Sequence, residues 1–565
     1  MRPLAEQPVL LLDAQATAAN PERGALLEIG WAEASAGEAP DLPVARVTAH
    51  VVAAPPGAVV PAAVARLTGL RTAQWVRGTA PACVWDDLLR AAARVAPARG
   101  PVLLVIHFAR FEEPFLRALH QRHGSGAFPF EIVCTHAIAR RLLPELPRRT
   151  LRSLAGYFGA AVPPLRRSAD HVVATAFVWR QLVALLATRE AVAGLGDLRE
   201  WLARPVRRCP RRFPLARERR RELPDRPGVY RLLRAGGAVL YVGKAGSLRQ
   251  RVSGHFHACT AERALDMLTQ ARDVSCTETA TALEAALLET DEIKRLAPPF
   301  NVALASAGRA VWFATADLGG LQERPDAEHG IGPFVSPTPV EALSALRAAL
   351  HAGEPASLPL RACAVGVEPA YAPGPTCFAA GLAQFVRDHG SGAGTRGLLR
   401  LGARLWARRR AVSAPGMDDA VAETPRPETT RWPAWDAERV REALEETVLR
   451  AAHAVRRGRW LVRLSECSLA WVEPGGDRRR LLVIGGGAVA LRADLERDAP
   501  MPVPRGHARK PAERRAAFDV ATFDRLRVLT TELRRLAVEA STVELRLGPQ
   551  ARLSRRRLQA VLRWV

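Results

Sequence analysis

The segment Gly228–Ala245, GVYRLLRAGGAVLYVGKA, constrains the chain more than any other. Two apolar runs enclose Gly236 and Gly237, a hairpin signal. With these glycines as the two turn residues, Tyr230 falls opposite Gly243 and Tyr241 opposite Leu232. Side chains alternate along a strand, so Tyr230 and Tyr241 share one face as diagonal neighbours, roughly 7–8 Å apart. The chain has 4 tyrosines, and two of them stand in this hairpin. Taken alone, they read as an aromatic cross-strand pair.

Beyond the hairpin the chain supplies charged groups. VGKAGSLRQRVSGHF places Lys244, Arg249, Arg251 and His255 within a short span. Beside two phenols, such groups could hold a phosphodiester and stabilise the charge that develops on it. TALEAALLETDEIKRLAPPFNV then reads as an amphipathic helix with Leu283, Leu287 and Leu288 on its apolar side. Glu284 and Glu292 read as solvent-facing. Glu289 borders the apolar stripe, where a carboxylate can face a cleft and bind a hard cation.

Composition agrees with a polyanionic partner. The formal net charge is +24, which points to nucleic acid. Nearly all of the positive charge is arginine, the lysines being Lys244, Lys294 and Lys510. A chain of 565 residues is too long for one core, so three or four domains are expected. The 8 cysteines form no CxxC pair, which fits a reducing cytoplasm and gives neither a disulfide framework nor a zinc site. No run approaches the roughly 18 uninterrupted apolar residues of a membrane span, and the start lacks the pattern of a signal peptide. No membrane partner is expected, and the expected location is cytoplasmic.

Along the chain, 8–35 reads as two strands around a turn. PVARVTAHVVA and GPVLLVIHF read as further strands, VWDDLLRAAARVA as a helix between them, and 109–190 as a series of helices ending in a long one. Strands first and helices after predict a mixed sheet flanked by helices. Residues 201–222 are rich in Pro and Arg and read as a solvated basic linker along which DNA can lie. Residues 413–436 read as a second linker. PVEALSALRAALHAG and AERVREALEETVLRAAHAV read as helices, and RWLVRLSECSLAWVEP and RRRLLVIGGGAVAL as strands.

Residues 223–305 resemble a GIY-YIG nuclease domain of the UvrC type. The first triplet is Gly228-Val229-Tyr230 and the second Tyr241-Val242-Gly243, with the basic helix and the acid–asparagine block in order behind them. The resemblance implies that Tyr230 and Tyr241 orient or activate the attacking water and that Arg251 stabilises the phosphate. It makes Glu289 the ligand of a single Mg²⁺ or Mn²⁺, with Lys244 and His255 assisting. Gly243 and Asn301 support the site.

Residues 1–200 resemble a DnaQ-like exonuclease of RNase H-like fold, carried by LTGL, HFARFEEPFL, CTHAIARRLLP and ATAFVWRQL. Such enzymes hold two metals with acids and use a His or Tyr as general base. Here Asp13 matches the first acid, Gln15 stands at the second and Glu112 at the third. His171 stands at the fourth, and Arg166 at the base position. Asp170 lies one residue early, about 100° round the helix. A neutral Gln and a cationic Arg weaken a two-metal site, so a degenerate module that binds DNA or a partner is expected. His107 reads as structural.

Residues 306–412 resemble the segment that follows the nuclease domain in UvrC-like proteins. Relatives carry four cysteines there; this chain has Cys363 and Cys377, so no iron–sulfur cluster is expected. The expected whole is an α/β multidomain chain: the RNase H-like module, a small GIY-YIG α/β domain, then a mixed α+β region over 437–565. The expected activity is Mg²⁺-dependent incision of damaged duplex DNA in nucleotide-excision repair, with a damage-recognition or helicase partner. The alternatives are an active 3′–5′ exonuclease, another structure-specific nuclease, or a DNA-binding scaffold.

Overall fold

The computed structural model describes residues 2–37, 42–97, 100–160, 165–206, 209–257, 259–304, 308–352, 357–390, 394–412, 434–472, 478–496, 498–563 and 565. The chain forms two compact units: 1–285 with 298–302, and 286–297 with 303–565.

The first unit opens on a five-stranded mixed sheet. Its strands are β1 (Val9–Ala16), β2 (Leu26–Ala34), β3 (Thr48–Val51), β4 (Val102–Ile106) and β5 (Phe130–Cys134), in the order β3-β2-β1-β4-β5. β1 pairs antiparallel with β2 and parallel with β4. Both β1 and β4 are apolar on both faces, as central strands covered by helices must be. Leu10, Leu12 and Leu104 face Trp85 of α1 (Pro81–Val95) and Phe115 and Leu116 of α2 (Ala109–His123). Leu11 and Val105 join Leu154 of α3 (Leu151–Tyr157) and Val172, Val178, Leu182 and Leu186 of α4 (Ser168–Glu190). By length and composition α4 could cross a membrane, but these four residues pack it into the core beneath the sheet. The strand β5 was not expected: FEIVC is five residues, too short to show a period.

The same unit holds a second core around β6 (Gly228–Leu233), β7 (Val239–Ala245) and β8 (Asp273–Glu278), antiparallel in the order β7-β6-β8. The helices of this core are α5 (Leu248–His255) and α6 (Glu262–Gln270); α7 (Ala282–Leu296) begins in this unit and belongs from residue 286 to the second. The hairpin register is the expected one, Tyr230 opposite Gly243 and Leu232 opposite Tyr241. The turn is not. Gly237 N–H donates to Arg234 O and Arg234 N–H to Ala238 O, so three residues, Ala235–Gly237, form the loop. Gly236 and Gly237 both have positive φ. A bulge at Leu240 absorbs the extra residue, since Leu232 pairs with Tyr241 and Leu233 with Val239. The third strand β8, on the far side of β6, was also not expected.

The stretch 201–222 is not the solvated linker its composition implies. Leu215 is 1% exposed in the core with Tyr230. Phe213 meets Phe256 edge-on, and Arg219 pairs with Asp273 at 3.1 Å. The two cores also touch. Asp266 of α6 accepts from the hydroxyls of Thr150 (3.0 Å) and Ser153 (2.5 Å), and a Cβ on Gly156 of α3 would lie 1.8 Å from the Gln270 side chain.

Beyond its share of α7, the second unit continues with β9 (Trp312–Ala314), β10 (Leu321–Gln322) and β11 (Ile331–Phe334), in the order β10-β9-β11. Its first core joins Phe334, Phe378 and Phe385 to α8 (Thr338–Ala352), α9 (Thr395–Val412) and α10 (Ala437–Leu464). Cys363 and Cys377 are half-buried against it. The residues expected as a linker at 413–433 lie outside those described. The expected strand at 459–464 is the end of α10, because Val448, Ala451, Val455, Gly458, Leu461 and Leu464 keep a helical period, all of them buried. Beyond it, β12 (Cys467–Val472), β13 (Arg479–Gly485), β14 (Ala488–Leu495), β15 (Thr542–Arg546) and β16 (Arg552–Ser554) form an antiparallel sheet, β14-β13-β12-β15-β16.

A buried ion cluster ties α7 to α11 (Val520–Glu539). Asp524, 0% exposed, meets Lys294 at 2.6 Å and Arg309 at 2.6 Å, and Arg525 meets Asp291 at 2.8 Å. Burial alone would raise the Asp524 carboxyl; Arg309 and Lys294 hold it below the usual range. Asp524→Ala leaves two cations without their shared anion. It is expected to destabilise the second unit by about 3 kcal/mol, read as a lower melting temperature of the full chain. An unchanged melt would show the cluster to be dispensable.

Candidate active site

Tyr230 and Tyr241 meet as the register requires, with ring centroids 6.1 Å apart. Tyr230 is fully buried, and its hydroxyl lies 2.5 Å from His255 Nε2. The His255 ring is 5.7 Å from that of Tyr230 and 5.9 Å from that of Tyr241, so the three rings form one cluster. Burial, and then the charge of Arg251, lowers the His255 pKa. The neutral ring can accept the Tyr230 hydroxyl proton at Nε2.

Gly243 permits this cluster. A Cβ there would stand 2.5 Å from the Tyr230 hydroxyl oxygen and 2.8 Å from the Tyr241 ring. Gly228 answers a different constraint: its Cβ would lie 2.3 Å from the carbonyl oxygen of Thr277 on β8. Both motif glycines are thus set by close approach rather than by backbone angle. Asn301 braces the outer edge of β7: its side-chain oxygen accepts from Val242 N–H at 3.0 Å, and its amide donates to Val242 O at 2.9 Å. The side chain stands in for a missing neighbouring strand.

Arg251 is exposed, one turn before His255 on α5 and so on the same side of the helix. Lys244 is exposed near the end of β7, opposite Val229. Arg249 is taken up structurally, donating to Leu223 O at 2.8 Å. Glu289 is half-buried on α7, in the stretch 286–297 that belongs to the second unit. Leu283 and Leu287 are buried and Leu288 half-buried, as the stripe predicts. Glu292, expected to face solvent, is buried.

In the N-terminal module, Asp13 sits on β1, Glu112 on α2 and His171 on α4. His171 Nδ1 is 3.1 Å from Asp13 Oδ1. Burial lowers the His171 pKa, but the Asp13 carboxylate outweighs it and the net shift is upward. Glu112 is fully buried, and burial together with the charge of Asp13 raises its carboxyl well above the usual range. Asp13 Oδ2 and Glu112 Oε2 have no hydrogen-bond partner among the described residues. Gln15 Nε2 donates to Arg166 O at 2.7 Å. Asp170 accepts from the N–H groups of Arg166 (3.3 Å) and Arg167 (3.1 Å) at the start of α4, so the acid one residue early is a helix cap. His107 is half-buried, hydrogen-bonds Thr135 at 2.8 Å and has its pKa pushed down to about 3, in keeping with a structural role.

Sequence reasoning missed Glu28. It is 2% exposed, pairs in register with Gln15, and accepts from Arg167 Nε at 3.0 Å and from Ser168 N–H at 2.8 Å. Its signal was a carboxylate inside the apolar run ALLEIGW. In the second unit Asp388, His389 and Glu445 gather at metal-ligand spacing. There Arg441 lies 2.7 Å from Glu445 and 3.9 Å from Asp388 and already supplies the positive charge.

Residues 226–302 match the UvrC-like GIY-YIG domain. A protein of Mycobacterium tuberculosis named a bifunctional exonuclease/endonuclease protein is 30% identical over 461 residues, 79% of this chain and 67% of that protein. The UvrABC system protein C of Alkalilimnicola ehrlichii is 38% identical over 123 residues, 21% of this chain and 20% of that protein. The chain thus spans about a fifth of that relative's length. Among solved structures, the GIY-YIG N-terminal endonuclease domain of UvrC from Thermotoga maritima, bound to magnesium, is 29% identical and matches 15% of this chain and 94% of that one, with a TM-score of 0.15. Exonuclease X in complex with 5′ overhanging duplex DNA is 17% identical and matches 32% and 93%, with a TM-score of 0.23. The motif residues and the relative that matches over most of this chain agree: the chain belongs to the family of fused DnaQ-like exonuclease and UvrC-type GIY-YIG endonuclease proteins.

Proposed function

We propose that the chain is a DNA-repair endonuclease that incises damaged duplex DNA by metal-dependent hydrolysis at its GIY-YIG site, in nucleotide-excision repair. The observation that carries this reading is the Tyr230–Tyr241–His255 cluster seated on Gly243. His255, kept neutral, takes the Tyr230 hydroxyl proton in a hydrogen bond and turns the phenol oxygen into a fixed acceptor. Tyr241, half-buried beside it, orients the attacking water. Arg251 neutralises charge on the phosphate, with Lys244 nearby in the motif. Glu289 is the one motif carboxylate, and a single oxygen ligand suits Mg²⁺ or Mn²⁺ that keeps most of its water. When bound, such a cation polarises the phosphoryl oxygen and acidifies a bound water.

The N-terminal module, whose β3-β2-β1-β4-β5 order supports an RNase H-like reading, is proposed to be a weak or inactive exonuclease that binds DNA. His171 supplies beside Asp13 the positive charge a metal would bring, and the Gln15 amide is spent on Arg166 O. A second reading, a surviving exonuclease, is favoured by one observation: Asp13 Oδ2 and Glu112 Oε2 are buried without hydrogen-bond partners among the described residues.

Incubating the protein with Mg²⁺ and an end-labelled duplex carrying a bulky adduct separates these readings. Internal cuts are expected, and Glu289→Ala is expected to reduce them by roughly 10²–10³-fold, the scale of losing a group that stabilises transition-state charge. Asp13→Ala is expected to leave them intact. End-digestion abolished by Asp13→Ala would establish the second reading, and no cleavage of any substrate would leave a DNA-binding scaffold.

The counterion role of His171 has a pH signature. Its folded pKa is raised above the unfolded value of about 6.5, so the pair with Asp13 stabilises fully below that pH. The contribution is lost as pH rises through the folded pKa. His171→Asn is therefore expected to lower the melting temperature more at pH 6 than at pH 9. Equal shifts at both would remove the role.

A further inference from the structure

The second unit holds a basic groove between α9 and α10 that the endonuclease reading does not use. Its volume is about 360 Å³. Arg396 and Arg400 form one wall, and Arg456 and Arg459 the other. Trp406 and His453 line it as well, stacked with centroids 4.9 Å apart and planes 22° apart. The helices approach closely because residue 402 is glycine: a Cβ there would lie 2.4 Å from Val448 O and 2.6 Å from the Ala452 Cβ.

Charge placement sets this groove apart from the rest of the same two helices. Towards the other end, Arg409 and Arg450 both pair with Glu446 at 2.7 Å, and Arg441 pairs with Glu445 at 2.7 Å. Acids then stop. Neither 395–412 nor 447–464 contains an Asp or Glu. Arg396, Arg400 and Arg459 are exposed and make no ion pair among the described residues. Arg456 is pushed below the ordinary arginine value, first by burial and then by the charge of Arg463.

Helix electrostatics do not account for the pattern. Cations help at the last turn of a helix, which covers Arg463; Arg456 and Arg459 stand before that turn. Arg396 stands in the first turn of α9, where the helix dipole disfavours positive charge, and Arg400 lies one turn further on. Arg396, Arg400 and Arg459 sit on two acid-free helix segments with no ion pair among the described residues, and Arg396 stands at the unfavourable helix end; such a set suits an anion from outside. Facing guanidinium walls over an aromatic pair suit a phosphodiester backbone, with the guanidiniums on phosphates and the rings beside sugar or base.

We propose that this groove is a second DNA contact, binding the phosphate backbone at Arg396, Arg400, Arg456 and Arg459. The proposal rests on the reading of the chain as a DNA-acting protein, but not on any cleavage. The test measures binding of fluorescent single-stranded and duplex DNA to the full chain in EDTA, from about 50 to about 300 mM NaCl. Replacing the four arginines by Ala is expected to weaken binding at least about tenfold and to flatten the slope of log K against log[NaCl] by about 3 for duplex. The four-Lys variant is expected to regain most of the affinity. Arg396→Glu with Arg400→Glu, both exposed, gives the same direction if the Ala variant is unstable. Unchanged affinity and slope in the Ala and Glu variants would overturn the proposal. So would competition by inorganic phosphate at low millimolar concentration, which marks a small-anion pocket. A chain that cuts no substrate yet loses DNA binding in the variants would sink the endonuclease reading and leave the groove standing.

Discussion

Everything at the endonuclease site depends on the missing side chain at Gly243. Tyr230 is the buried member of the pair, and its ring and hydroxyl occupy the space a Cβ would need. With that space free, the hydroxyl reaches His255 and the Tyr241 ring closes over the same spot. The edge strand that carries Gly243 is in turn braced by Asn301, which bonds both polar groups of Val242. Two residues with no reactive group therefore set where the reactive ones stand.

In the N-terminal module the polar residues near Asp13 and Glu112 pair with one another and with the backbone. Asp13 lies within the central strand β1, and Glu112 lies near it on α2. Around them, the polar groups have found other partners. Gln15 holds a backbone carbonyl, Asp170 caps a helix, Glu28 anchors Arg167, and His171 sits on Asp13. Two carboxylates close together in a buried place repel. Burial and that proximity raise the Glu112 pKa, and the Asp13 carboxylate in turn raises the pKa of His171 against its burial.

Much of the site was legible because alternation and helical period act on neighbours. The register of the hairpin could be read although its turn could not, since the bulge at Leu240 compensates the longer loop without moving Tyr230 or Tyr241. Periods fail for short elements, which is why β5 and β8 went unread and why the end of α10 looked like a strand. Long-range pairings left no mark in sequence: Glu28 with Arg167, or Asn301 with Val242 across 59 positions. Composition misled at 201–222, where a basic stretch conceals Leu215 and Phe213, two apolar anchors among arginines.

The clamp on α7 bears on where this protein can be cut apart. The family domain ends at residue 302, a natural place to truncate. Yet Asp291 and Lys294, within about a turn and a half of Glu289, find their partners at Arg525 and Asp524. An excised endonuclease domain would carry its acidic residue on a helix whose last turns had lost their anchorage. The boundary of the family domain and the boundary of mechanical support are therefore different places in this chain.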